Sequence, residues 1–171
     1  MSQNKIFIPT KDANCWQNLL ADKDKHWKKG YSAMETALSW EKGKGISKEI
    51  KQMLDAHANF EVLELLLALP EYKVQLLDGN RPSQNDVLAL FRTENALSIL
   101  TVEGKSKEEF DSTIVEWKNR TSKKGIEKRL GFVIEKIGVK DIEIDSLRYQ
   151  LLHRLASAVL MAEKFHAKMP P

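Results

Sequence analysis

Residues 86–105 read DVLALFR, TEN, ALSILTV, EGK, running from Asp86 through Arg92, Thr93 and Val102 to Lys105. Val87, Ala89 and Phe91 alternate with Leu88 and Leu90, so both faces of the first run are apolar, as in a strand buried on both sides. Ala96 to Val102 is a second apolar, β-branched run. Thr93, Glu94 and Asn95 between them supply a tight turn. The two runs predict a β-hairpin, and a hairpin returns both of its ends to one edge of a sheet. Asp86 opens the first strand, and Glu103 and Lys105 close the second. Residues two apart on a strand point to the same face, so an aspartate, a glutamate and a lysine are expected to converge at one rim.

Working outward, Ser106, Lys107, Glu108 and Glu109 have the form of a capping box, predicting a helix that buries Phe110, Ile114 and Trp117. Lys123 to Ile137 repeats Ile126, Leu130, Val133 and Ile137 at helical spacing, with Gly138 as the stop. Asp145 to His166 repeats Leu147, Leu151, Leu155, Val159 and Ala162, which predicts a long final helix. On the N-terminal side, Tyr72 to Leu77 alternates as a strand, and Asp78, Gly79 and Asn80 form a turn signal. Phe60 to Leu69 is apolar enough for helix or strand, and the spacing of Glu61 and Glu64 leans helical. Ser47 opens a helix with Ile50, Met53 and Leu54 on one face, and Ser32 opens another to about Trp40, ended by Gly43 and Gly45. Asp12 or Asn14 caps a short helix carrying Trp16, and Lys5 to Ile8 reads as a short strand ended by Pro9.

The expected architecture is therefore α/β (α+β): one domain over residues 1–171, with a small mixed sheet of about four strands flanked by helices. Composition agrees. The chain has 171 residues, 27 Lys and Arg, 24 Asp and Glu, and a net charge of +3, ordinary for a globular protein. That near balance allows a nucleic-acid partner without demanding one. No apolar run approaches the ~20 residues that cross a bilayer, and residues 1–8 are too short and polar for a signal peptide. Cys15 is the single cysteine, which excludes an internal disulfide framework and a cysteine-built zinc site, and fits a cytoplasmic protein. Glycine-rich phosphate loops, dinucleotide fingerprints and nucleophile elbows are missing.

The expected trio has a chemical use. Two carboxylates can hold Mg²⁺ together with waters and substrate phosphate oxygens. A lysine beside them can position water or neutralise developing charge. Gly104 leaves room for a close backbone approach. The pattern Glu-x-Lys occurs four times, at Glu49, Glu71, Glu103 and Glu116. Glu49 and Glu116 fall in predicted helices. Glu71, with Lys73, is a rival, although Pro70 interrupts the strand before it. The alternative reading of Glu103 and Lys105 is a solvated ion pair at a strand end.

Asp86, then Glu103-Gly104-Lys105 after an apolar strand, then a predicted helix, resembles the PD-(D/E)XK nuclease-like superfamily, with its restriction-endonuclease-like core. More narrowly, residues 82–86 (PSQND), 102–105 (VEGK), 148–154 (RYQLLHR) and 30–35 (GYSAME) are similar to one bacterial family of that superfamily, over roughly residues 27 to 166. The resemblance implies an αβββαβ-type core and Mg²⁺- or Mn²⁺-dependent cleavage of phosphodiesters, usually in DNA. It assigns the metal-binding acids to Asp86 and Glu103 and the catalytic lysine to Lys105. It adds Glu35 from the first core helix and Gln150 from a later one. Two departures stand out. Asn85 replaces the proline before the aspartate, and an apolar strand expected after the long helix does not follow before Pro171. A member that kept the fold and lost the activity, serving as a binding or assembly module, is the second expectation.

Other residues carry weaker signals. Glu35 also completes a capping box with Ser32, and Gln150, His153 and Arg154 share a helix where packing would explain them. Lys118, Arg120, Lys123, Lys124, Lys128 and Arg129 form a basic segment suited to a phosphate backbone. Lys23, Lys25, Lys28 and Lys29 around Trp27 form a second. Trp16, Trp40, Phe91, Phe110, Trp117 and Phe132 are expected to pack the core, and Cys15 to be buried. An unpaired sheet edge and a double-strand cutter would both suit a homodimer.

Overall fold

The computed structural model describes residues 10–56, 64–77, 81–94, 96–120, 123–139 and 142–167. A short 3₁₀ helix, Ala13–Leu19, is followed by α1 (Lys23–His26), α2 (Ser32–Lys42) and α3 (Lys48–Asp55). Three strands come next: β1 (Glu64–Val74), β2 (Ser83–Arg92) and β3 (Leu97–Val102). Then α4 (Ile114–Arg120), α5 (Lys123–Ile137) and α6 (Tyr149–Phe165) close the chain. The fold is α/β, and its described sheet has order β1-β2-β3, antiparallel throughout.

The alternation along β2 separates two cores. Val87, Ala89 and Phe91 pack with Ala13, Trp16, Ala37 and Trp40 on one side. Leu88 packs with Ile114, Leu130, Val133, Tyr149, Leu152 and Ala156 on the other. A strand that is apolar on both faces needs a layer on each: the 3₁₀ helix and α2 cover one face, and α4, α5 and α6 the other. The β2–β3 hairpin matches its sequence reading, with Thr93 N donating to Ala96 O across the turn at 2.8 Å.

Several expectations are corrected. The segment from Glu64 to Leu69 is strand, not helix, and it continues through Pro70 to Val74 as β1. Pairing in register with β2 outweighs the helical spacing of two glutamates. Proline is tolerated because β1 pairs only with β2 among the described residues, and its other edge needs no donor there. The described sheet has three strands, close to the about four expected, and it is antiparallel, not mixed. The strand predicted at Lys5 to Ile8 and the turn at Asp78 to Asn80 lie outside the described residues.

No helix starts at Ser106. Residues 103–112 are irregular, and α4 begins at Ile114. Glu108 does cap a helix, but it is α2: its Oε1 accepts from Ser32 N at 2.9 Å and Ser32 Oγ at 2.8 Å. Phe110 is accordingly exposed. The final helix starts at Tyr149, later than expected, and its buried face carries Tyr149, Leu152, Ala156 and Met161. Leu147, Leu151 and Leu155, expected inside, are exposed. Cys15 is half-buried, with Lys11 N donating to its Sγ at 3.4 Å.

Candidate functional site

One carboxylate from each strand lies in a row across the sheet. β1 pairs with β2 through Pro70 opposite Val87 and Tyr72 opposite Asn85, so Glu71 falls opposite Asp86. The last β2–β3 pair is Val87 with Val102, and one further step sets Glu103 beside Asp86 on its other side. Asp86 is fixed to that strand end by its Oδ2, which accepts from Gly104 N at 2.7 Å. Glu103 and Lys105 share a face as expected, with Lys105 Nζ 3.2 Å from Glu103 Oε1.

Helix α6 crosses over this row and engages Glu103. Gln150 Nε2 donates to Glu103 Oε1 at 2.5 Å, while Gln150 Oε1 accepts from Asp111 N at 3.3 Å. The backbone donor fixes which end of the amide faces the glutamate. Arg154 Nε donates to Glu103 Oε2 at 2.6 Å. Arg154 NH1 donates to Ser83 Oγ at 2.7 Å, and Ser83 Oγ lies 2.9 Å from His153 Nδ1. Arg154 NH1, which can only donate, also lies 3.2 Å from Nδ1, an arrangement that suits Nδ1 as acceptor and the imidazole proton on Nε2. Burial first, then Arg154 and Arg129, hold the His153 pKa down to about 3, so the ring is neutral.

The acids show what the row costs. Burial first, then Glu103 and Glu71, push the Asp86 carboxyl up to about 7, against the opposing pull of the Gly104 amide. Burial also raises Glu71, whose Oε2 accepts from Gln84 Nε2 at 2.7 Å. Glu71 has φ 51, a left-handed conformation uncommon outside glycine that clusters at functional sites. Lys105 and Arg154 both lie on Glu103, so the uncompensated charge is at Asp86 and Glu71.

Of the residues expected here, Asp86, Glu103, Lys105 and Gln150 are brought together. Glu35 is not: it is exposed, and its Oε1 accepts from Gly30 N at 2.8 Å, tying down the loop before α2, while Ser32 N donates to Glu108 and the expected capping box does not form. The α2 residue that reaches the site is its neighbour Thr36, whose Oγ1 would lie 2.3 Å from a Cβ built on Gly104. Glu71, Gln84, Ser83 and Thr36 were missed. Glu71 carried a signal as the rival Glu-x-Lys, and the two patterns prove to be neighbours, not competitors. In the α4–α5 basic segment, Lys118 pairs with Asp145 at 2.7 Å, Arg120 donates to Ser112 Oγ at 2.6 Å and Arg129 to Tyr149 OH at 2.7 Å. The side chains of Lys123 and Lys124 lie outside the described residues, and Lys128 is exposed.

Among the described residues no group of three or more His, Cys, Asp or Glu side chains is arranged to hold a metal ion. Mg²⁺ asks for less, one or two carboxylates with waters. The donors at Asp86 and Glu103 are hard oxygens, which fit such an ion in kind, and both oxygens of Glu103 are also engaged by Gln150, Lys105 and Arg154.

No described helix is long and apolar enough to cross a membrane. The chain matches, over residues 9–170, the family described as domain of unknown function DUF6946, and it belongs to that family. No curated protein and no solved structure matches it.

Proposed function

We propose that this member of the DUF6946 family is a metal-dependent nuclease that hydrolyses DNA phosphodiester bonds, with Asp86 and Glu103 as ligands of Mg²⁺ or Mn²⁺. The observation that carries the reading is the meeting of Asp86, Glu103 and Lys105 at adjacent strand ends. The resemblance of these same residues to the PD-(D/E)XK nuclease-like superfamily supports it. When bound, the metal would supply charge neutralisation at the phosphate and a more acidic water. The protein's own groups supply the rest. Lys105, with part of its side chain exposed, is placed to orient a water or meet developing negative charge. Gln150 and Arg154 hold both oxygens of Glu103 in one orientation. Glu71 adds negative charge opposite Asp86, which strengthens the demand for a cation. Gly104, lacking a side chain, lets Thr36 and the Asp86 carboxylate close on the backbone between the two acids. A cytoplasmic protein, with a homodimer to cut both strands, completes the proposal.

One observation favours a second reading. Arg154 and Lys105 already provide two positive charges at Glu103, as in a site whose cation has been replaced by side chains. The protein would then be a nuclease-like fold kept as a binding module.

Calorimetric titration with Mg²⁺ and Mn²⁺ on the wild type and Asp86→Ala, with plasmid cleavage on the same samples, separates them. Metal binding and cleavage that both vanish in Asp86→Ala would support the nuclease. A wild type that binds neither metal overturns it in favour of the module.

A further inference from the structure

We infer that duplex DNA is received on the exposed lysines of residues 23–29 together with Lys107, not on the basic segment of α4 and α5. The inference rests on the nuclease reading for its choice of polyanion and on separate geometry for its place.

Three observations locate this face. First, Lys107 follows the candidate catalytic Lys105 by two residues and lies against Gly30. A Cβ built on Gly30 would be 3.3 Å from Lys107 Cε and 3.4 Å from its Nζ. The end of the lysine segment therefore adjoins the loop that leaves the candidate site. Second, this neighbourhood is held in place. Trp27 packs against the core formed by Trp16, Ala37 and Trp40. Glu108 ties the loop to the start of α2 through Ser32 N and Oγ, and its Oε2 accepts from Ser106 N at 3.2 Å.

Third, the charges are sorted. Most nearby acids turn to backbone amides: Asp22 Oδ1 accepts from Lys25 N at 3.0 Å, Glu35 from Gly30 N, and Glu108 from Ser32 and Ser106. Asp22, Asp24 and Glu35 stay exposed beside the lysines as counter-charges. Lys23, Lys25, Lys28, Lys29 and Lys107 are all exposed. Five exposed lysines against three exposed carboxylates leave a net positive surface beside the loop that follows Lys105. Such a surface suits a phosphate backbone, whose affinity comes from releasing condensed counterions. In the α4–α5 segment, by contrast, Lys118, Arg120 and Arg129 are engaged within the protein.

The test is binding of a short fluorescent duplex in EDTA, read by anisotropy across a salt series. The proteins are the wild type, a Lys23→Gln/Lys25→Gln/Lys28→Gln/Lys29→Gln variant, Lys107→Gln, and Lys118→Gln/Arg120→Gln as control. The slope of log affinity against log salt should flatten by about 0.9 for each phosphate contact removed in the first two variants and keep its wild-type value in the control. Wild-type affinity and slope in the fourfold variant, equal loss in the control, or no duplex binding by the wild type overturns the inference. Binding needs no metal here, so lysine-dependent binding without cleavage would reject the nuclease and retain this face. Cleavage with an unaltered fourfold variant would do the reverse.

Discussion

Arg154 Nε meets Glu103 Oε2 at 2.6 Å, with both side chains almost withdrawn from solvent at 13% and 10% exposure. Removing one partner of such a pair leaves the other charged and desolvated, at a cost of about 3–5 kcal/mol. Arg154→Gln should lose stability on that scale in urea unfolding. The double variant Glu103→Gln/Arg154→Gln should recover most of it, because two neutral amides can still hydrogen-bond. A double variant as unstable as the sum of the singles would show that the pair is not coupled.

The pH dependence of stability should carry two opposed slopes. Asp86 has its folded pKa raised from 3.8 to about 7, so the folded state holds its proton more tightly. That contribution is fully present below about pH 4 and is lost as pH rises through 7. His153 has its folded pKa lowered from 6.5 to about 3, so it favours folding above 6.5 and opposes it as pH falls towards 3. Between about pH 4 and 6.5 the two nearly cancel. His153→Gln should unmask a decline in melting temperature with rising pH, and Asp86→Asn should unmask the opposite trend.

Gly104 lies beneath α2. A Cβ there would sit 2.3 Å from Thr36 Oγ1 and 3.2 Å from Asp86 Oδ2, closer than packed atoms allow. Gly104→Ala should destabilise by about 1–3 kcal/mol, the usual cost of overpacking. Adding Thr36→Ala should restore part of that in thermal unfolding. An alanine at 104 without effect would mean that α2 moves aside freely.

Glu108 caps a helix distant in sequence; burial pushes its carboxyl up, but its hydrogen bonds from Ser32, its own backbone and Ser106 together outweigh that and hold it down to about 2. Glu108→Ala should cost about 1 kcal/mol, as for other lost caps. It should also speed amide hydrogen exchange at Ser32 and Ser106, whose N–H groups it accepts. Unchanged exchange at both would remove the cap from the account.

The sequence made the β2–β3 hairpin legible because its apolar runs, turn and flanking acids all agree. Ser47 and Gly138 likewise marked helix ends through local chemistry. What stayed hidden depends on contacts between distant segments. The capping box at Ser106 misled because Glu108, while accepting from Ser106 N, gives its other oxygen to Ser32 of α2, and no helix follows Ser106. The phase of α6 was misread because Leu147, Leu151 and Leu155 repeat as regularly as the buried set, and only the packing partner distinguishes them. Glu71 was set aside because a proline before it argues against a strand, and strand position at a sheet edge cannot be seen in one sequence. The structure brings Asp86, Glu103, Lys105 and Gln150 together, while Glu35 accepts from Gly30 N and leaves Ser32 N to Glu108.

The row of Glu71, Asp86 and Glu103 has a consequence for the order of events during folding. No strand carries two of the three acids, and each pair needs its own strand register to come together. A β2–β3 hairpin formed alone would hold Asp86 near Glu103 with no Glu71 opposite. It would also lack Gln150 and Arg154, which arrive only when the last helix docks. Glu103 can therefore act on Asp86 as soon as the hairpin forms, whereas the burial that shifts Asp86 most, and the added charge of Glu71, wait for β1 and the covering helices. Any activity that needs Glu103 held by Gln150 and Arg154 is withheld from the nascent chain until its C-terminal helix is in place.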